Sequence, residues 1–254
     1  MVFDLDFDEI MRACKQRYRP FRGDVPCIRK PRSLARSIEA AKADGRRPVI
    51  AEIKPASPTA GPLRPVGDPG QLASAFTDAG ACGISVLTEP RFFGGSLEDL
   101  RQAAGASVPV LRKDFLFDVA QVRESYFYGA DSLLLISSFF EADTLARMIA
   151  ACRGYGMEPL VEVHDREDIA RSESCGAKLI AINNRDRRTL QVDLSRTARL
   201  AKHAGGVKVS ASGIATAAQL DEALRHCDAA LIGSALMKAG DPGATLRQLV
   251  SGDQ

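Results

Sequence analysis

"VPVLRKDFLFDVAQVRESYFYGADSLLLIS", residues 108–137, holds two apolar runs separated by a helical stretch. The runs 108–114 and 132–137 are nearly continuous in hydrophobicity rather than alternating, the pattern of strands buried on both faces. The stretch between them opens at Asp118, a favoured helix N-cap, and closes at Gly129, a favoured C-cap. Strand, crossover helix and strand make the repeating unit of a parallel sheet.

The same unit recurs along the chain. Further strands are expected at "PVIAEIK" (48–54), "GISVLT" (83–88), "PLVEV" (159–163), "LIAIN" (179–183), "VKVSA" (207–211) and "AALIG" (229–233). Among the intervening helices, 141–154 carries Leu145, Met148, Ile149 and Cys152 on one stripe, and another starts at the capping residue Thr216. Eight evenly spaced β–α units predict an α/β fold, a (β/α)8 TIM barrel, over a doubly wound sheet. Residues 1–254 are read as one barrel domain, with 1–47 an N-terminal extension helical in "FDEIMRACKQRY" (7–18) and "SLARSIEAAKADG" (33–45). Between Arg12 and Arg36 the only acid is Asp24. That basic stretch reads first as a solvated helix face and second as a neighbour of an anionic substrate.

Bulk composition removes several function classes. A net charge of +2 gives no electrostatic footprint for nucleic acid or a membrane surface. The six cysteines include no Cys-x-x-Cys pair and the three histidines share no ligand spacing, so neither a metal nor a disulfide framework is expected. No apolar run approaches the ~20 residues of a membrane-spanning helix, and the acidic start "MVFDLDFDEI" is no signal peptide. The expectation is a cytoplasmic protein.

In a barrel, chemistry sits at the C-terminal strand ends. There the sequence sets Glu52 and Lys54, Lys113-Asp114, Glu162, Asn183-Asn184-Arg185, Ser210-Ala211-Ser212-Gly213 and Gly233-Ser234. Gathering so many charges at one end costs stability unless they have work to do. The Ser-Gly and Gly-Ser pairs after the last two strands offer backbone N–H groups where barrels often hold a phosphate. The connection from Pro55 to about Gly67 contains four prolines and is long for a strand-to-helix loop, as a lid or binding element would be.

Several of these segments together resemble the indole-3-glycerol phosphate synthase family of tryptophan biosynthesis. The resemblance rests on "VIAEIKPASPTAG", "GISVLTEPRFFGGSLEDL", "VPVLRKDFLFD", "GADSLLLI", "YGMEPLVEVHD", "AINNRDRRTL" and "LIGSALMKAGDPG", and runs from about residue 34 to the C-terminus. It implies a cofactor-free carboxy-lyase closing 1-(2-carboxyphenylamino)-1-deoxyribulose 5-phosphate to indole-3-glycerol phosphate, with release of CO2 and water. By the resemblance, Lys113 is the general acid and Lys54 the partner of the substrate carboxylate. Glu162 and Glu52 share the dehydration, and Asn183 touches the sugar chain. Arg185 steers substrate or braces the acids, while Ser57, Ser212, Gly213, Gly233 and Ser234 hold phosphate. Phe115 and Leu134 wall the aromatic ring.

Two positions depart from that family's pattern: Pro55 replaces a basic residue, and Ala211 replaces the glutamate of a Glu-Ser-Gly turn. Alternatives are a phosphosugar isomerase of the phosphoribosyl-anthranilate type or, given Ala211, a silent barrel serving as a binding partner. The expected ligand is a phosphorylated small molecule, with no nucleic-acid or membrane partner. The chain would be a monomer or homodimer, with other tryptophan-pathway enzymes as conceivable associates.

Overall fold

The computed structural model describes residues 6–23 and 29–251, so Asp24 and Cys27 lie outside the described residues. Eight parallel strands close into a barrel in chain order. They are β1 (Val49–Ile53), β2 (Gly83–Leu87), β3 (Val110–Lys113), β4 (Ser132–Ile136), β5 (Glu158–Val163), β6 (Leu179–Asn183), β7 (Val207–Ala211) and β8 (Ala229–Ile232). All eight expected strands are present. The third is shorter than its apolar run because Pro109 has no N–H; its carbonyl still accepts from Ile84 at 2.9 Å.

Strand periodicity divides the apolar residues into two cores. Val49, Ala51, Ile53, Val110, Leu133, Leu135, Val161, Val163, Ile180 and Ile182 face the surrounding helices. Ile50, Leu111, Leu134, Leu160, Ala181, Val209, Ala211 and Leu231 fill the barrel interior. Because alternate residues share a face, the interior register of Ile50 carries Glu52 and Lys54, that of Leu111 carries Lys113, that of Leu160 carries Glu162, and that of Ala181 carries Asn183. Strand parity alone therefore aims the charged groups at one mouth.

The helices end where their sequence signals say. The helix Val119–Phe127 has a capping box from Asp118 to Gln121 and passes through Tyr128 into Gly129 at φ +86°. Ala142–Gly154 buries Leu145, Met148, Ile149 and Cys152. Ala217–Leu224 has its capping box at Thr216 and Gln219.

The extension caps both ends of the barrel. Its first helix, α1 (Phe7–Arg17), lies over the C-terminal mouth: the Phe7 N–H donates to the Arg187 carbonyl at 3.0 Å, and Arg17 pairs with the buried Glu89 at 2.7 Å. Its second, α2 (Leu34–Ala43), plugs the opposite end with Leu34 and Ile38. There Ser33 donates to Glu158 at 2.7 Å and Ser37 to the Cys82 carbonyl at 2.5 Å. Arg29 and Arg32 converge on the fully buried Asp131. The basic stretch is thus neither a plain solvated face nor a substrate neighbour throughout. Arg29 and Arg32 are structural cations at the end remote from the mouth.

Among the described residues, no helix is long and apolar enough to cross a membrane.

Candidate active site

A cavity of about 240 Å³ opens at the C-terminal mouth of the barrel. The residues given catalytic or substrate-binding roles all border it: Glu52, Lys54, Ser57, Lys113, Phe115, Leu134, Glu162, Asn183, Arg185, Ser212, Gly213, Gly233 and Ser234.

Two lysine–carboxylate pairs organise its floor. Lys54 Nζ lies 2.9 Å from Glu52 Oε1, and Lys113 Nζ lies 3.9 Å from Glu162 Oε2. Both glutamates are buried, at 2% and 1% exposure. Each keeps one carboxylate oxygen with no hydrogen bond among the described residues. Such orphaned acceptors are costly in a dry wall, and here they sit at the surface of a cavity. Asn183 Nδ2 donates to Glu162 Oε1 at 2.8 Å and fixes that carboxylate from the next strand. The Asn183 Oδ1 in turn accepts from the Arg185 backbone N–H at 2.9 Å.

Arg185 closes one side of the cavity. Burial lowers its guanidinium below the ordinary value, with the Glu52 charge opposing that shift; an arginine stays charged regardless. Its Nη1 donates to the Leu190 carbonyl at 2.5 Å, so the turn that brings Leu190 to the cavity is held by the same side chain. Asp186 tightens that turn from outside. The backbone N–H groups of Thr189 and Arg188 hold its carboxyl down to about 2, aided by Arg196.

The turns after β7 and β8 are shaped by close approaches. Ser212 has φ +72° and Gly213 φ +89°, and a side chain on Gly213 would meet Val192 Cγ1 at 2.3 Å. At Gly233 an added Cβ would stand 2.3 Å from Glu52 Oε1. The Gly233→Ala variant is therefore expected to push Glu52 away from Lys54. Misplacing a reacting group by about 1 Å can cost on the order of 10²-fold, and kcat/KM should fall by about that much while circular dichroism stays that of the intact barrel. Unchanged kcat/KM would mean that the Glu52 position does not matter.

The loop after β1 is pinned rather than open. Ala56–Ser57 pairs antiparallel with Gly61–Pro62, and Arg64 reaches the carbonyls of Met237 and Ala239. Ser57, Pro58 and Thr59 face the cavity from this loop.

Two further residues expected at the mouth have partners in the frame. Asn184 points behind the sheet, where it bonds Ser210 and Thr197. Asp114 borders the cavity but is held by Arg112 at 3.0 Å and Thr88 at 2.6 Å.

Several lining or adjacent residues were not selected from sequence. Phe7 of α1 packs edge-on to Phe115 with centroids 5.6 Å apart, and Phe93 lies 6.1 Å from the same ring. Phe93 is held in place by Glu89, which accepts from the N–H groups of Phe92 and Phe93. Nothing in the apolar pattern of α1 distinguishes a lid from a solvated helix. His164 stands behind Glu162, its Nε2 3.5 Å from Oε1. The alternation Val161-Glu162-Val163-His164 could have revealed this one.

A family model for indole-3-glycerol phosphate synthase matches residues 8–249. The chain belongs to the indole-3-glycerol phosphate synthase family. It is 42% identical over 228 residues to the indole-3-glycerol phosphate synthase of Carboxydothermus hydrogenoformans, covering 88% of this chain and 86% of that one. To that of Mycobacterium avium it is 45% identical over 207 residues, covering 80% and 76%. The Mycobacterium tuberculosis relative is 44% identical over the same length and shares. In this family member the position after Lys54 is Pro55, and Ala211 borders the cavity beside Asn183, its register partner.

Proposed function

We propose that this protein converts 1-(2-carboxyphenylamino)-1-deoxyribulose 5-phosphate to indole-3-glycerol phosphate, CO2 and water. The observation that carries the reading is the pairing of Lys113 with Glu162 and of Lys54 with Glu52 on the floor of one cavity. Family membership points the same way. The isomerase alternative needs a Cys/Asp or paired-Asp acid–base set, and among the described residues the cavity is lined by one aspartate, Asp114, and by no cysteine. The silent-barrel alternative would leave both buried acid–lysine pairs without use.

In this reading the electron-rich ring carbon attacks the ketone while Lys113 protonates the developing alkoxide. Lys54 holds the departing carboxylate, and Arg185 adds positive charge to the same end of the cavity. Glu162 and Glu52 then remove the hydroxyl as water and take the proton from the adjacent carbon. Asn183 keeps Glu162 oriented and touches the sugar chain. The backbone turns at Ser212-Gly213 and Gly233-Ser234, with Ser57 across from them, take the phosphate. Phe115 and Leu134 lie along the aromatic ring, with Phe7 and Phe93 extending that apolar wall. The chain acts as one domain, because the extension closes both ends of the barrel.

Incubating the purified protein with the deoxyribulose phosphate should produce indole fluorescence with no cofactor added. No fluorescence from a folded sample would overturn the reading.

The phosphate turns make a second expectation. Inorganic phosphate should inhibit competitively with substrate, and raising salt should raise KM, since screening acts over about 8–10 Å at physiological ionic strength. Inhibition that is non-competitive at constant ionic strength would put the phosphate elsewhere.

Ala211 supplies a third. Its methyl group is buried and borders the cavity, so the Ala211→Glu variant is expected to fold with little change in Tm and to crowd the ring end. A small steric misfit in an apolar pocket is worth about 10–200-fold, so discrimination against a ring-substituted substrate should rise at least about tenfold over wild type. The pH–rate profile should move as well, because a carboxylate joins the lysines. A large fall in Tm with unchanged ring preference and pH profile would mean that the position faces the barrel wall.

A further inference from the structure

Behind Glu162 the cavity wall has a second layer. The His164 side chain is only 7% exposed, yet neither ring nitrogen has a hydrogen-bonding partner among the described residues. Nε2 stands 3.5 Å from Glu162 Oε1 and Nδ1 stands 3.7 Å from Asp168 Oδ2. Phe7 covers the ring edge-on, with centroids 6.4 Å apart. On the outer side, His164 borders a separate cleft of about 630 Å³ whose cations are Arg166, Arg196, Arg199 and Lys202 and whose acids are Asp165 and Glu167. The imidazole is thus interposed between a buried carboxylate and a cleft open to solvent.

The reaction proposed above has a use for that position. The ketone oxygen leaves as water and so acquires two protons. One is equivalent to the hydrogen lost from the neighbouring carbon, and the other must come from solvent, because the carboxylate departs as CO2 with no proton to give. Each turnover consumes one proton, and with substrate seated in the mouth Glu162 is cut off from bulk water on that side.

We propose that His164 is a positioning residue that returns the consumed proton to Glu162 from the outer cleft; this deepens the functional reading above and rests on it. The imidazolium passes its Nε2 proton to Glu162 Oε1, which leaves a neutral imidazole and a carboxylic acid. Glu162 delivers the proton to the departing hydroxyl and becomes a carboxylate again. An acid in the cleft, hydronium or a buffer species, re-protonates the imidazole. No electrons are exchanged. The carboxylates of Glu162 and Asp168 face the ring from its own side, and Arg166, Arg196, Arg199 and Lys202 line the cleft beyond it. Among the described residues no hydrogen bond ties either nitrogen to a fixed partner. The 3.5 Å gap has to shorten when substrate binds, as catalytic contacts in ligand-free sites commonly do.

The test compares wild type, His164→Ala and His164→Gln in the cofactor-free fluorescence assay. Positioned proton transfer contributes about 10²–10⁴-fold, so kcat should fall at least about tenfold in both variants with KM near wild type. Added imidazole should restore kcat to His164→Ala in a saturable way, and deuterium oxide should slow both variants more than wild type. His164→Gln fills the same space and keeps the test open if His164→Ala does not fold. Wild-type kcat in folded His164→Gln overturns the proposal, as does a loss in His164→Ala that imidazole leaves untouched. A silent wild-type protein would instead overturn the functional reading itself.

Discussion

Lys113→Met is expected to lower kcat by about 10²–10⁴-fold, the range that positioned acid–base catalysis contributes, with little change in Tm. Lys113 ends β3 on the interior register, and its side chain is 22% exposed at the cavity. Among the described residues its side chain makes one ion pair, the long 3.9 Å contact to Glu162 across the cavity floor. The ion pairs that stabilise this part of the barrel belong to Arg112, which faces the other way and binds Glu124 at 2.8 Å and Asp114 at 3.0 Å. Methionine keeps the length and apolar stem and removes the proton. Single-turnover fluorescence separates chemistry from binding. A purified variant with more than roughly a tenth of the wild-type rate, against that range, would remove Lys113 from the acid role.

Asp131→Ala is expected to have the largest effect on stability. The carboxylate is fully buried. It accepts from the backbone N–H groups of Arg32 at 2.7 Å and Val110 at 2.8 Å, and from Arg29 Nη2 at 2.9 Å. Arg32 Nη2 lies 3.3 Å away. Removing one partner of a buried ion pair costs about 3–5 kcal/mol, because the remaining groups keep their desolvation penalty. For a chain of this size 1 kcal/mol corresponds to roughly 2–4 °C, so Tm should drop by at least about 6 °C. The same knot ties the extension to the start of β3 and β4. Limited proteolysis should therefore cut the variant near Arg29 and Arg32 sooner than wild type. A Tm within about 2 °C of wild type, less than 1 kcal/mol on that scale, would mean that Asp131 does not anchor the extension.

The barrel was legible because its signal is local. Each strand is a short continuous apolar run, and helices such as Val119–Phe127 and Ala217–Leu224 announce themselves by a cap, so the architecture needed only counting. The mouth was legible by parity: once Ile50 and Leu111 face inward, Glu52, Lys54 and Lys113 follow. What the sequence could not reveal depends on contacts far apart in the chain. Arg29 and Arg32 read as surface charge until Asp131, about a hundred positions later, is seen to receive them. Phe7 reads as one apolar position of a surface helix until the chain folds it over Phe115. Asn184 flanks a mouth residue, but adjacent strand positions face opposite ways and its side chain turns into the frame; Asp114, past the end of β3, borders the cavity while bound to Arg112. His164 lay within reach of the same parity argument that selected Glu162.

The most direct test of the proposed activity is a stoichiometric one. Substrate carrying an isotopic label in its ring carboxyl group should yield labelled CO2 and indole-3-glycerol phosphate in equal amounts, with no cofactor present. Release of neither product by folded wild-type protein, or rearrangement of the sugar chain with the label retained in the ring, would contradict it.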